Sequence, residues 1–158
     1  MEKLYHRCIK CPITFATGYS TGIEATSPWF LDSRLALQAK VFQSWFTHAE
    51  NETTGEESWL PFTSYKLGVM GGSLSTNNFM RMYGAGGLLL IVPNAKMSAK
   101  KSALGSYGAF GFEFLSGHSL NYYIELGANG ISAHADKQPR KPIYSNGFST
   151  VVGFRYYL

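Results

Sequence analysis

Charge is scarce in this chain of 158 residues: Asp, Glu, Lys and Arg together make up 15%, against roughly 25% in an ordinary soluble domain. Long apolar runs are missing as well. The longest, Leu88 to Pro93, falls far short of the roughly 18 residues a transmembrane helix needs, which excludes a helical membrane protein. Cysteine is limited to Cys8 and Cys11. A single CxxC beside His6 cannot complete a four-ligand zinc site and lacks the βαβ setting of a redox motif, so no metal and no cofactor is expected. The net charge is only +4, and the Lys and Arg residues between Lys96 and Lys141 are spread through loops. Without a dense basic run interleaved with aromatics, no nucleic-acid partner is expected. The start, Met1-Glu2-Lys3-Leu4-Tyr5-His6-Arg7, leads into no apolar stretch of the kind that marks a secretory signal.

Aromatics (15%) and glycine (17 residues) are plentiful, and they come with a period of two. In the closing stretch Phe148, Thr150, Val152, Phe154, Tyr156 and Leu158 share one face, while Ser149, Val151, Gly153, Arg155 and Tyr157 share the other. That period defines a strand with one apolar and one small or polar face. The pattern recurs over Ile13 to Glu24, Arg34 to Trp45, Ser64 to Gly72, Phe79 to Val92, Leu104 to Leu115 and Leu120 to Gly130. Over Arg34 to Trp45 a helix is the rival by propensity, but the alternation favours a strand. Gly84-Ala85-Gly86-Gly87 lacks the Lys-Ser/Thr of a phosphate loop and lies inside a strand pattern. Seven strands result, in one domain of 1–158 with 1–12 as a loop or irregular segment. The connections alternate short and long, and the long ones cover 47–58, 93–103 and 132–146. A chain that is not hydrophobic on average is also what a transmembrane barrel would show, since such a barrel alternates apolar with polar residues.

The terminal strand closely resembles the last strand of bacterial outer-membrane β-barrels, with Leu158 where an aromatic is usual. The stretches Gly108–Phe114, Tyr123–Gly127 and Gly153–Leu158 look like the last three strands of small eight-stranded barrels of the OmpA-like and OmpW-like outer-membrane families. The resemblance is best over 79–158, and it rests on patterns instead of a catalytic signature. It implies an all-β, up-and-down antiparallel transmembrane barrel in the cell outer membrane. The function it implies is non-enzymatic: envelope structure, surface interaction or porin-like passage of small, including hydrophobic, molecules. The implied partners are outer-membrane lipid and lipopolysaccharide, and the barrel-assembly machinery acting through Phe154, Tyr156 and Leu158. The barrel is expected to be a monomer.

Within that barrel the strand charges sort onto one face. Glu24, Arg34, Lys40, Lys66, Arg81, Glu113, Glu125 and Arg155 are all expected in the lumen, since Lys or Arg facing lipid at mid-bilayer costs about 2–4 kcal/mol. An eight-stranded interior is just wide enough for its own side chains, so these eight are expected to pair as structural glue, with Glu113, Glu125, Arg81 and Arg155 near one end. Trp29, Trp45, Trp59, Tyr122 and Tyr156 are expected at the membrane interfaces. Two other readings compete. A soluble lipocalin-like barrel would put its apolar face inside, leaving the charged face out. A lipid-A-modifying enzyme would need His118, Ser119 and Glu113 or Glu125 to meet, but neighbouring residues of a strand point to opposite faces.

Seven is an awkward count, because single-chain bacterial barrels have an even number of strands. A strand is therefore expected ahead of Ile13. It is expected upstream of Met1, in company with a signal peptide, or else as a short first strand over Leu4 to Lys10.

Overall fold

The computed structural model describes residues 18–47, 59–116, 120–131, 133–137 and 146–156. These form seven strands: β1 (Gly18–Thr26), β2 (Leu35–Thr47), β3 (Trp59–Leu74), β4 (Met80–Pro93), β5 (Ala103–Phe114), β6 (Leu120–Gly130) and β7 (Gly147–Tyr156). They lie in one sheet in the order β1-β2-β3-β4-β5-β6-β7, each antiparallel to the next. The sheet curls into a nearly closed all-β barrel of up-and-down topology. No helix of the described residues is long and apolar enough to cross a membrane.

Alternation in sequence becomes alternation across the barrel wall. In β6 the burial alternates residue by residue over Leu120–Leu126, with Asn121, Tyr123 and Glu125 inside and Leu120, Tyr122, Ile124 and Leu126 outside. The outer surface is apolar on every strand: Ile23 is 77% exposed, Leu67 64%, Leu126 57% and Phe154 74%. The inner surface carries the charges. This is the reverse of a globular protein in water, where large exposed apolar patches are uncommon.

Small residues make room inside. Tyr83 lies opposite Gly111 and Tyr123 opposite Gly153 in register, and each ring crosses its glycine. A Cβ on Gly111 would stand 2.4 Å from Cζ of Tyr83, and one on Gly153 would stand 2.7 Å from Cζ of Tyr123. Glycine is thus required here by close approach.

Two elements differ from the sequence expectation, and one expectation falls where the structure is not described. The residues 13–17 and the segment Leu4 to Lys10 lie outside the described residues. β3 begins at Trp59 instead of Ser64, directly after the long connection expected over 47–58. Pro61 does not stop it, because it pairs only with Trp45 of β2 and the β4 ladder starts one residue later, at Phe62 and Pro93; a proline is tolerated where no ladder needs its N–H. The second difference is the β1–β2 turn. Phe30 and Leu35 exchange hydrogen bonds (2.8 and 3.1 Å) around Leu31, Asp32 and Ser33, all of positive φ. That tight reversal leaves Arg34 in the turn, before β2 starts.

The interior has no single apolar core. Near the long connections Leu60, Phe62, Leu89, Ile91, Met97, Tyr107, Ile131, Ala133 and Ala135 pack together. Met97, Ala133 and Ala135 come from connections that fold inward. Met97 N–H bonds to Asn94 O, Lys137 N–H to Met97 O, and Lys137 Nζ to Ala95 O, while the Asp136 carboxylate accepts from Ala99 N–H at 3.0 Å. Toward the short turns a smaller group, Ala36, Met70 and Tyr83, packs with Trp29. Charged and polar side chains fill the rest.

Candidate functional site

Six of the inward charges form one continuous chain of alternating sign. Arg81 of β4 meets Glu113 of β5 (3.5 Å), Glu113 meets Arg155 of β7 (3.1 Å), and Arg155 meets Glu24 of β1 (2.5 Å). Glu24 then meets Lys40 of β2 (3.2 Å), and Lys40 holds both oxygens of Glu125 of β6 (2.7 and 2.8 Å). The chain therefore ties together six of the seven strands. Three cations balance three carboxylates. All six are deeply placed, with Glu113 at 0% and Lys40 at 1% exposure.

Neutral groups complete the carboxylates' shells. Tyr123 Oη donates to Glu24 (2.9 Å), as do Gln38 Nε2 (2.9 Å) and Thr26 Oγ1 (3.1 Å). Tyr83 Oη donates to Glu125 (3.2 Å), and Asn121 Nδ2 to Glu113 (3.1 Å). The cations also lie against rings: Arg155 is 4.6 Å from the Tyr123 centroid and 5.3 Å from Tyr83, and Arg81 is 4.1 Å from Trp29. Buried charge is tolerated only when paired and hydrogen-bonded in this way.

Lys66 of β3 is the inward cation that stands apart from the chain. It lies directly opposite Lys40 in register, where like charges repel, and Lys40 takes the nearby carboxylates. Among the described residues Lys66 makes no ion pair. Its ammonium lies 5.1 Å from the Tyr107 centroid and 5.8 Å from that of Phe42, a cation–π setting.

Two expected placements need correction. Arg34 is exposed and lies outside the lumen, because the left-handed residues of the Phe30–Leu35 turn bring the chain round before the ladder begins. Trp29 does not stand in an interfacial girdle. It turns inward, packs with Ala36, Met70 and Tyr83, and offers its face to Arg81; the buried guanidinium makes that the favourable site for a large ring. Trp45, Trp59 and Tyr122 are on the outer wall. Trp45 stacks on Tyr19 (4.9 Å between centroids), and Trp59 lies 5.1 Å from the same ring, all at the long-connection end. At the short-turn end Tyr122 stacks on Phe114 (4.9 Å) and pairs in register with Phe154. The side chain of Tyr156 and all of Leu158, His118, Ser119, Cys8 and Cys11 lie outside the described residues.

Sequence reasoning missed the partners more than the charges. Gln38, Tyr83, Tyr107, Asn121 and Tyr123 occupy the same face as the charges on their strands, and that shared face is the signal that finds them. Met97 and Trp29 carry no such signal, since both come from connections.

Together the fold and the site define a nearly closed antiparallel β-barrel with an apolar exterior and a polar interior in which six of the seven inward charges are paired. Comparison of the chain with protein families, with curated proteins and with solved structures finds no match.

Proposed function

We propose that this chain is an integral outer-membrane β-barrel with a non-enzymatic role in the cell envelope. One observation carries the reading: the apolar face of every strand points out and the charged face points in. An outer wall of that kind is an aggregation hazard in water and a fitted surface in lipid. The height agrees. From Leu35 to Trp45 strand β2 extends about 33 Å, or about 25 Å along the barrel at the usual tilt, which is the height of the apolar band of such barrels. Aromatic groups stand at both ends of it, Tyr19, Trp45 and Trp59 at one and Phe114, Tyr122 and Phe154 at the other, as interfacial girdles do.

The paired interior supports a structural or surface role over an open pore. Six of the seven inward charges hold one another, and the Met97 group packs the other half. Glu24, Glu113 and Glu125 are each held in ion pairs, which disfavours them as the base of an acyl-modifying enzyme. A soluble ligand-binding barrel is disfavoured by its need for an apolar, empty lumen. Lipid and lipopolysaccharide are the partners this surface fits. The exposed Phe154 at the end of β7 fits an assembly receptor that reads the terminal strand.

Single cysteines test the reading in a Cys8→Ser, Cys11→Ser background. In lipid vesicles, probes at Leu67→Cys, Leu88→Cys and Leu126→Cys are expected to be reached by a bilayer-confined quencher and not by a water-soluble one. The opposite pattern at all three positions would remove the membrane reading.

A further inference from the structure

The charges of the lumen do not balance. Among the described residues four cations face inward (Lys40, Lys66, Arg81 and Arg155) against three carboxylates (Glu24, Glu113 and Glu125). The paired chain takes all three carboxylates and three of the cations, so the surplus of one positive charge sits on Lys66. An ammonium carries three N–H donors and no acceptor. That of Lys66 meets only two ring faces among the described residues, Tyr107 at 5.1 Å and Phe42 at 5.8 Å. The Tyr107 hydroxyl is committed elsewhere: it donates to Gln38 Oε1 (3.3 Å), and Gln38 Nε2 donates to Glu24 (2.9 Å). An unbalanced charge in an enclosed interior is costly until an opposite charge joins it. Lys66 is half-buried, so an ion from solution can reach it.

We propose that Lys66 anchors a lumen site for one small monovalent anion, of the size of a halide or formate. The approach to it is polar on one side. The Met97 group packs against inward residues of β3, β4 and β5. Across the lumen, at the same end, the inward positions of β1, β2 and β7 carry Ser20, Ser44 and Ser149, none of them buried. Ser20 and Ser44 are partners in register, and hydroxyls donate readily to an anion. Ser44 leads to Phe42, the next inward residue of β2, whose ring is one of the two beside Lys66. Charge selects the valence. One negative charge completes the balance of the interior, whereas a divalent anion would leave it one charge negative. Lys40, directly opposite in register, is already taken by Glu24 and Glu125, so the anion has a single cation to meet. The inference concerns the interior and not the wall, so it and the membrane reading can fail separately.

Chloride is the probe that tests it, with the full chain folded in detergent micelles. The NMR line of the ion broadens when it exchanges with a protein site. Excess broadening is expected with the unaltered chain and with Lys100→Met, which removes an exposed loop cation. It is expected to be lost with Lys66→Met. Formate is expected to displace the chloride, and sulfate at equal ionic strength is expected to leave it in place. Equal broadening with Lys66→Met would mark an adventitious ion only and overturn the proposal. So would no broadening with the unaltered chain, or displacement by sulfate as effective as by formate. A second reading needs no variant to fold. In the unaltered chain the side-chain nitrogen resonance of Lys66 is expected to move as chloride is added and to stay in place with sulfate at equal ionic strength. A resonance that does not respond to chloride would overturn the proposal.

Discussion

Arg155 is the residue on which the interior turns. It bonds Glu24 and Glu113 at once and lies over the Tyr83 and Tyr123 rings, whereas Arg81 has one carboxylate at 3.5 Å. Breaking a buried pair on one side leaves a stranded charge and costs about 3–5 kcal/mol. Arg155→Met is therefore expected to lose stability in that range, and Arg81→Met clearly less. Urea unfolding of both variants in the same micelle or vesicle checks the order, and equal losses would mean the chain is not a connected unit. Glycine gives a second residue-level test. Gly111→Ala pushes a Cβ into Tyr83 and disturbs its hydrogen bond to Glu125, for about 1–3 kcal/mol as overpacking. Gly108→Ala, whose Cβ would meet nothing within 4 Å, is expected to be nearly neutral by the same measurement.

At this scale the sequence told the face and not the partner. Period-two alternation put Lys40 and Glu125 inside, but nothing local brings together residues that lie 85 apart in sequence. Which strands face each other across a lumen depends on the whole barrel's curvature. The same limit hid the isolation of Lys66, which follows from its register opposite Lys40. Arg34 failed for a local reason: its place in the alternation was right, but the turn geometry ended the strand pattern first.

Among the elements, the strands were legible and the connections were not. Strand patterns repeat over ten residues or so and survive an error of one at each end, as β4 and β5 illustrate. The segments 93–103 and 132–146 read as long loops, yet Met97, Ala133 and Ala135 within them pack in the barrel mouth. Their clasp depends on Asp136, whose carboxyl is held below its ordinary value by the Ser98 hydroxyl and the Ala99 N–H. A carboxylate with a depressed folded-state pKa adds stability above its unfolded value, about 3.9, and loses it as pH falls through the lower folded value. The clasp is therefore expected intact at neutral pH and to loosen in acid below about pH 4. Amide exchange at Ala99 and peroxide oxidation of Met97 report it. Asp136→Ala is expected to speed both at pH 7 while the strand amides stay protected; unchanged oxidation of Met97 would show that the clasp does not hold the plug.

For the whole molecule, the architecture followed from the alternation, and the seven strands of the described residues leave β1 and β7 as edges running alike. The sidedness of the wall is the claim on which the functional reading stands. Leu67 and Leu88 face outward at the middle of their strands. In a bilayer Leu67→Arg or Leu88→Arg is expected to cost about 2–4 kcal/mol, while in water either change would relieve an exposed apolar patch and raise solubility.

The most direct measurement is to dilute the urea-unfolded chain into phospholipid vesicles and, in parallel, into plain buffer. Strand formation is then followed by circular dichroism, and the depth of Trp45 and Trp59 by brominated-lipid quenching. A membrane barrel is predicted to form its strands in the vesicles, to float with them, and to place both tryptophans near the headgroups, while the buffer sample aggregates. A stable, monomeric, strand-rich protein in plain buffer that leaves the vesicles untouched would contradict the account.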